Sequence, residues 1–185
     1  LSVTNGQSNN EQENGVTYSG INIGSGPHYA EGWFNIDSIP TDTGKQPDRL
    51  IDIFDLPDFY QREFKAAYIG HVLEHIPWNA VPAAIYAISQ VVVEGGPIMV
   101  VGPCIIKAAM SNQPQTLIEA IVCDPRTADH PWAHAWTPTE ELTKWAMEEA
   151  GLTNVTALPV AQIKQPQWPN PSQAAWQCAI AGFSA

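Results

Sequence analysis

An α/β fold built on a mostly parallel sheet is what this sequence predicts, and three stretches carry the prediction. Residues 66–101 read as an apolar run, an amphipathic segment, a Gly-Gly break and a second apolar run. That strand, helix, turn, strand rhythm belongs to parallel sheets. Tyr18 to Ile23 and Trp33 to Ile36 are two short apolar runs separated by Gly24-Ser25-Gly26, with Asp37 closing the second. Residues 137–151 combine a helix start, a buried stripe and a terminal glycine.

Taken in order, residues 1–16 are mostly Gly, Asn, Gln, Ser and Glu without apolar periodicity and read as a flexible N-terminal arm. Residues 17–185 are expected to form a single domain, because 185 residues suffice for one sizeable core and not for two. Tyr18 to Ile23 is the first expected strand and Trp33 to Ile36 the second. The link between them is shorter than the dozen or more residues of an ordinary βαβ crossover, so its helix must be very short or missing. Residues 40–47 read as a loop. Leu50-Ile-Asp-Ile-Phe54 follows as a possible third strand ending near Asp55-Leu56-Pro57, and Ala66 to Gly70 suits a buried fourth.

Val81, Ala84, Ile85, Ile88 and Val92 fall at helical spacing over residues 79–93, with Pro82 in the tolerant first turn. Glu94-Gly95-Gly96 stops that helix, and Pro97 to Val101 supplies a buried strand closed by Gly102-Pro103. A short helix is expected over 116–122 and a loop over 130–136. Thr137 as cap, Pro138 at the first position and Glu140 three residues after the cap start the last helix. Leu142, Trp145, Ala146 and Ala150 form its stripe, and Gly151 ends it. Residues 154–158 and 175–183 are the closing strands, joined by a Pro- and Gln-rich loop over 159–173.

Composition narrows the function classes. The net charge is −11 with only 8 Lys+Arg, so no basic cluster is available to grip a nucleic acid backbone. No apolar run approaches the ~18 residues of a membrane span, and no basic-then-apolar signal segment is visible. Cys104, Cys123 and Cys178 are odd in number and widely spaced, which points away from a disulfide framework and towards a reducing, cytoplasmic setting.

The ordered motifs resemble those of class I S-adenosylmethionine-dependent methyltransferases, of the type with Leu-Glu-His-Ile after the fourth strand. INIGSG at 21–26 resembles the first motif and WFNID at 33–37 the acidic second one. DIFDLP at 52–57 resembles the adenine-side motif and YIGHVLEHIP at 68–77 the fourth-strand motif. VVVEGGPIMVVGP at 91–103 matches the leader, turn and fifth strand, and 137–155 matches the last helix and following strand. The resemblance covers residues 18–158. It departs from the family after the first strand, where Pro27-His28-Tyr29 stands in place of a third glycine and a full helix.

The resemblance implies a Rossmann-like, doubly wound, seven-stranded sheet with the last strand antiparallel, and S-adenosyl-L-methionine as cofactor. Carried over by position, Gly24, Ser25 and Gly26 would face the methionine and ribose portions. Asp37 would hold the ribose hydroxyls, Asp52 with Ile53 the adenine edge, and Gly70 with His71 the methyl-transfer site. His71 is the candidate general base, against a role in ordering the strand end through hydrogen bonds. Among the tryptophans, His130 and His134 are candidates for the acceptor side, against an ordinary packed loop. The implied acceptor is a small molecule or sugar-like compound. No nucleic acid, membrane or metal partner is expected, and a homo-oligomer is possible.

Three rivals stand beside this reading. A protein with the same fold that binds cofactor without turnover is the first. His71-Val-Leu-Glu-His75 also matches H-x-x-E-H, the inverted zinc-protease signature, which requires a helix where these residues read as a strand end and the start of the next helix. A nicotinamide-binding domain is the third, and the full G-x-G-x-x-G is absent.

Overall fold

The structure is a computed structural model and describes residues 17–42, 44–122, 133–163, 167–169 and 176–185. The expected arm at 1–16 and part of the 159–173 loop lie outside them.

Seven strands form one sheet: β1 (Ile21–Ile23), β2 (Phe34–Asp37), β3 (Arg49–Leu50), β4 (Ala67–Gly70), β5 (Pro97–Pro103), β6 (Thr153–Leu158) and β7 (Gln177–Phe183). Their order is β3-β2-β1-β4-β5-β7-β6. The first five run parallel, and β7 lies antiparallel between β5 and β6. This is the Rossmann-like methyltransferase arrangement, with the reversed final strand that the resemblance implies. The helices are α1 (Leu56–Phe59), α2 (Val81–Val91), α3 (Ile105–Met110), α4 (Pro114–Val122) and α5 (Glu140–Glu149).

Alternation along the strands splits the core into two layers. Ile21, Ile23, Ile69, Ile98, Val100 and Ile180 point to one face, where Ile85 and Ile88 of α2 and Met147 of α5 cover them. Tyr68, Met99, Val101 and Ala179 point to the other, where Ala30, Trp33, Ile163 and Trp168 cover them. That second cover comes from irregular segments, because residues 24–33 pass from β1 to the parallel β2 without a helix. Asn35 stitches this abbreviated crossover together. Fully buried, its amide donates to Ala30 O (3.0 Å) and Trp33 O (2.6 Å) and accepts from Ala30 N (2.8 Å) and Asn22 Nδ2 (2.9 Å).

Several local expectations need correction. The possible third strand over 50–54 is only Arg49–Leu50, because Asp52 caps a 3-10 turn over Ile53–Asp55 by accepting from Phe54 N (3.0 Å). A carboxylate two residues before an amide offers the chain a turn instead of a ladder. The cap of α5 is Thr139, which accepts from Leu142 N (3.1 Å), and not Thr137. Gly151, at φ +87°, ends that helix as expected. Glu74 and His75 do not open a helix: Leu73–His75 is an isolated 3-10 turn, and α2 starts later, at Val81. Helix α3 was not foreseen.

Cys104 and Cys178 are buried and free. Among the described residues no helix is long and apolar enough to cross a membrane.

Candidate active site

The carboxyl ends of β1, β2 and β4 surround a pocket of about 480 Å³, within the usual range for a small-molecule site. Gly24, Ser25, Gly26, Asp37, Asp52, Ile53, Gly70 and His71 all line it. Every residue that the sequence suggested for cofactor binding or catalysis is therefore gathered into one cavity. Parallel topology explains the gathering, since loops leaving neighbouring strands at the same end converge. Gly24 is required twice over. Its φ is +63°, and any Cβ there would strike the Val72 side chain.

Asp37 already accepts two backbone hydrogen bonds, from Gly26 N (2.8 Å) and Ile39 N (3.3 Å). A carboxylate offers about four acceptor positions, so it keeps capacity for ligand hydroxyls. Ser25 is buried and its Oγ has no hydrogen-bond partner. A hydroxyl stranded at a pocket wall costs free energy unless a ligand meets it. Asp52 spends one oxygen on its cap, and its neighbours Ile53 and Phe54 add an apolar wall.

His71 occupies the left-handed region, φ +57°, which a non-glycine residue adopts only where its surroundings enforce it. Its backbone N–H donates to Val101 O (2.8 Å). Its ring lies between two groups: Nδ1 is 3.2 Å from Glu74 Oε1, and Nε2 meets the Gln177 side-chain amide. With the amide donating to Nε2, the ring proton sits on Nδ1 and faces Glu74. Burial pushes the Glu74 carboxyl up, but the close approach of the His71 ring and the nearby His75 outweigh it, leaving its pKa below the ordinary glutamate value.

The H-x-x-E-H geometry is not formed, because a left-handed His71 followed by a 3-10 turn keeps His71 and His75 off a common helix face. A different grouping appears. One ligand atom each from Glu74, His75 and His134 lie within 4.8 Å of one another. The His75 and His134 rings pack edge to face at 5.1 Å. His134 Nδ1 lies 3.1 Å from Ala120 O, and burial holds the imidazole below its usual pKa. His134 thus touches the wall behind the pocket, next to His75, which does line it. His130 lies outside the described residues.

Sequence reasoning assigned no role to Thr41, or to Phe54 within the DIFDLP motif, although both line the pocket, as does His28, one of the histidines it considered as a base. It also missed Gln177, for which no local signal exists. The antiparallel register of β7, Pro103 opposite Gln177, is what carries that residue to His71.

No protein-family model and no curated protein sequence matches the chain. Solved structures do. A SAM-dependent methyltransferase from Archaeoglobus fulgidus matches at TM-score 0.57 and 12% identity, over 92% of this chain and 90% of that one. A putative methyltransferase from Haloferax volcanii, in complex with the Trm112 methyltransferase activator, matches at TM-score 0.58 and 14% identity, over 91% and 84%. The S-adenosylmethionine-dependent methyltransferase SibL matches at 0.57 and 13%, over 94% of this chain and 52% of its own. Five further matches are longer proteins of which this chain spans 34% to 63%. At such identities the likeness concerns the fold, and in its fold this chain is similar to SAM-dependent methyltransferases.

Proposed function

We propose that the chain is an S-adenosylmethionine-dependent methyltransferase acting on a small-molecule or sugar-like acceptor. The observation that carries the reading is the convergence of Gly24, Ser25, Gly26, Asp37, Asp52, Ile53, Gly70 and His71 on one pocket at the strand ends, in a fold similar to that of SAM-dependent methyltransferases. The pocket also fits the cofactor chemically. It offers a buried serine hydroxyl without a partner, a carboxylate with spare acceptor capacity and a glycine turn open to close approach.

When bound, the cofactor supplies an electrophilic methyl group on a sulfonium sulfur. Residues 24–26 cradle its polar tail, Asp37 accepts from the ribose hydroxyls, and Asp52 with Ile53 and Phe54 takes the adenine. Gly70 and His71 face the point of transfer. Much of the rate in such a displacement comes from alignment and exclusion of water, which a rigid strand-end pocket provides. Where the acceptor must lose a proton, His71 is the base: Glu74 orients Nδ1–H, leaving Nε2 as the proton acceptor once Gln177 yields. His134 and His130 belong to the acceptor side.

Calorimetric titration with S-adenosylmethionine and S-adenosylhomocysteine tests the reading. Heat of one-to-one binding is expected from both, and a folded sample that binds neither refutes it. The Gln177 amide on His71 Nε2 favours a second reading, cofactor binding without turnover. Binding of both compounds with no S-adenosylhomocysteine formed from S-adenosylmethionine across a panel of hydroxyl, amine and thiol acceptors would select it.

A further inference from the structure

We propose that Glu74, His75 and His134 hold a divalent first-row transition metal ion at the rear of the pocket, where an open coordination position receives the acceptor. The H-x-x-E-H match includes Glu74 and His75 but pairs them with His71, whereas the structure pairs them with His134 from a distant strap. The part concerning the acceptor rests on the methyltransferase reading; the metal site does not.

The donor set comes first. Two imidazoles and a carboxylate form a borderline N,N,O set that suits zinc and its first-row neighbours. Their candidate ligand atoms already lie within 4.8 Å of one another. Ligands at ~2.0–2.1 Å from a tetrahedral ion sit about 3.4 Å apart. Contraction by roughly an ångström, within the reach of side-chain torsions, therefore completes the site.

Orientation comes second. His134 directs Nδ1 to the Ala120 carbonyl at 3.1 Å, which fixes the proton there and leaves Nε2 with its lone pair outward. His75 directs Nδ1 towards the Ala133 carbonyl at a longer 3.4 Å. A backbone carbonyl behind the non-ligating nitrogen is the usual support of a metal-bound histidine. The strap bearing His134 is fastened to the turn bearing the other two ligands: Ala135 N donates to Glu74 O (2.7 Å), and Trp136 Nε1 donates to Leu73 O (2.8 Å).

The third observation is an unmet need. Glu74 is 2% exposed, and its Oε1 meets only an ion-pair approach from His71 Nδ1 at 3.2 Å, without the alignment of a hydrogen bond. A buried carboxylate with an unsatisfied oxygen is costly, and a cation relieves that cost. His75 also lines the pocket, so the ion would sit with one side towards the ligand cavity. Three protein ligands and an open side are the mark of a catalytic rather than a structural metal. The acceptor class that follows is an oxygen compound, a hydroxyl or carboxylate able to coordinate the ion and so be held facing the methyl group.

The test is direct titration of chelator-stripped, cofactor-free protein with zinc chloride, followed by heat, and with cobalt(II), followed by visible absorption. One ion per chain is expected with each. His134→Ala and Glu74→Gln should each weaken zinc binding by about 100-fold or more. Asp37→Ala should leave it unchanged while weakening S-adenosylmethionine binding by at least tenfold, which keeps the two readings separable. Wild-type protein that binds neither ion at millimolar concentration overturns the proposal, whether or not a variant folds. So does stoichiometric binding that survives in a folded His134→Ala or Glu74→Gln protein.

Discussion

The two halves of the sheet are built on different principles. On one side β5 and β7 are seven-residue strands in continuous antiparallel register from Pro97 opposite Phe183 to Pro103 opposite Gln177. Backbone pairing and apolar side chains do nearly all the work there. On the other side β1, β2 and β3 have three, four and two residues, and side chains take over from the ladder. Asn35 and Asp48 make the difference plain. Asp48 Oδ2 accepts from Asn35 N (2.8 Å), while Tyr29 Oη donates to Asp48 Oδ1 (2.6 Å). Strands that must stop early to leave room for a pocket lose ladder bonds. Polar side chains, from the buried Asn35 to the exposed Asp48, then replace them and fix the geometry of the crossover.

That contrast can be broken from either end. Ile180→Ala, in the apolar half, should lower unfolding stability by about 2–5 kcal/mol through cavity formation and leave ligand affinity untouched. Chemical denaturation and calorimetry together check both parts. Asn35→Ala should cost about 1–3 kcal/mol per buried partner left unpaired. It should also weaken S-adenosylmethionine binding by more than tenfold, because residues 24–33 lose their anchor. Equal effects of both substitutions on affinity would erase the distinction. Asp37→Ala removes a group at the rim of the polar half and should weaken cofactor affinity by at least tenfold, about 1.4 kcal/mol, with the fold intact by circular dichroism.

The smallest expected effect is on pH dependence. The folded-state pKa of Glu74 is lowered and its unfolded value is ordinary, so its stabilisation is full above about pH 4.3. It is lost as pH falls through the folded value. His134, whose pKa is also lowered, acts with the same sign just below its ordinary value, because only the unfolded chain takes up the proton there. Melting temperatures of metal-free wild type and Glu74→Gln should therefore converge as pH falls below about 4. Curves that run parallel down to acid pH would show that the carboxylate contributes nothing as a charge.

Legibility in the sequence follows the same division. Most strands could be located along the chain because glycine breaks and apolar runs are local signals, while the reversed final strand was implied by the resemblance to class I methyltransferases. Gly24, Asp37 and Gly70 reach the pocket because any strand end in this topology must. What could not be read depends on contacts far along the chain. Gln177 meets His71 across 106 residues, and His134 meets His75 across a stretch with no periodic pattern. The third strand was misjudged for the opposite reason, a local one: apolar Ile51, Ile53 and Phe54 suggested a ladder, while the Asp52 cap turned the chain.

One consequence concerns charge. Among the described lining residues the pocket presents Asp37 and Asp52 and no lysine or arginine. Giving up a methyl group turns a sulfonium into a neutral thioether, so the spent compound is one positive charge poorer than the donor it replaces. An acidic wall attracts the first more than the second, by about 1 kcal/mol for a partly screened charge at this range. The protein should thus hold S-adenosylmethionine several-fold more tightly than S-adenosylhomocysteine, with Asp52→Asn narrowing the ratio. Under the proposed function, electrostatics of this kind would favour release of the demethylated compound.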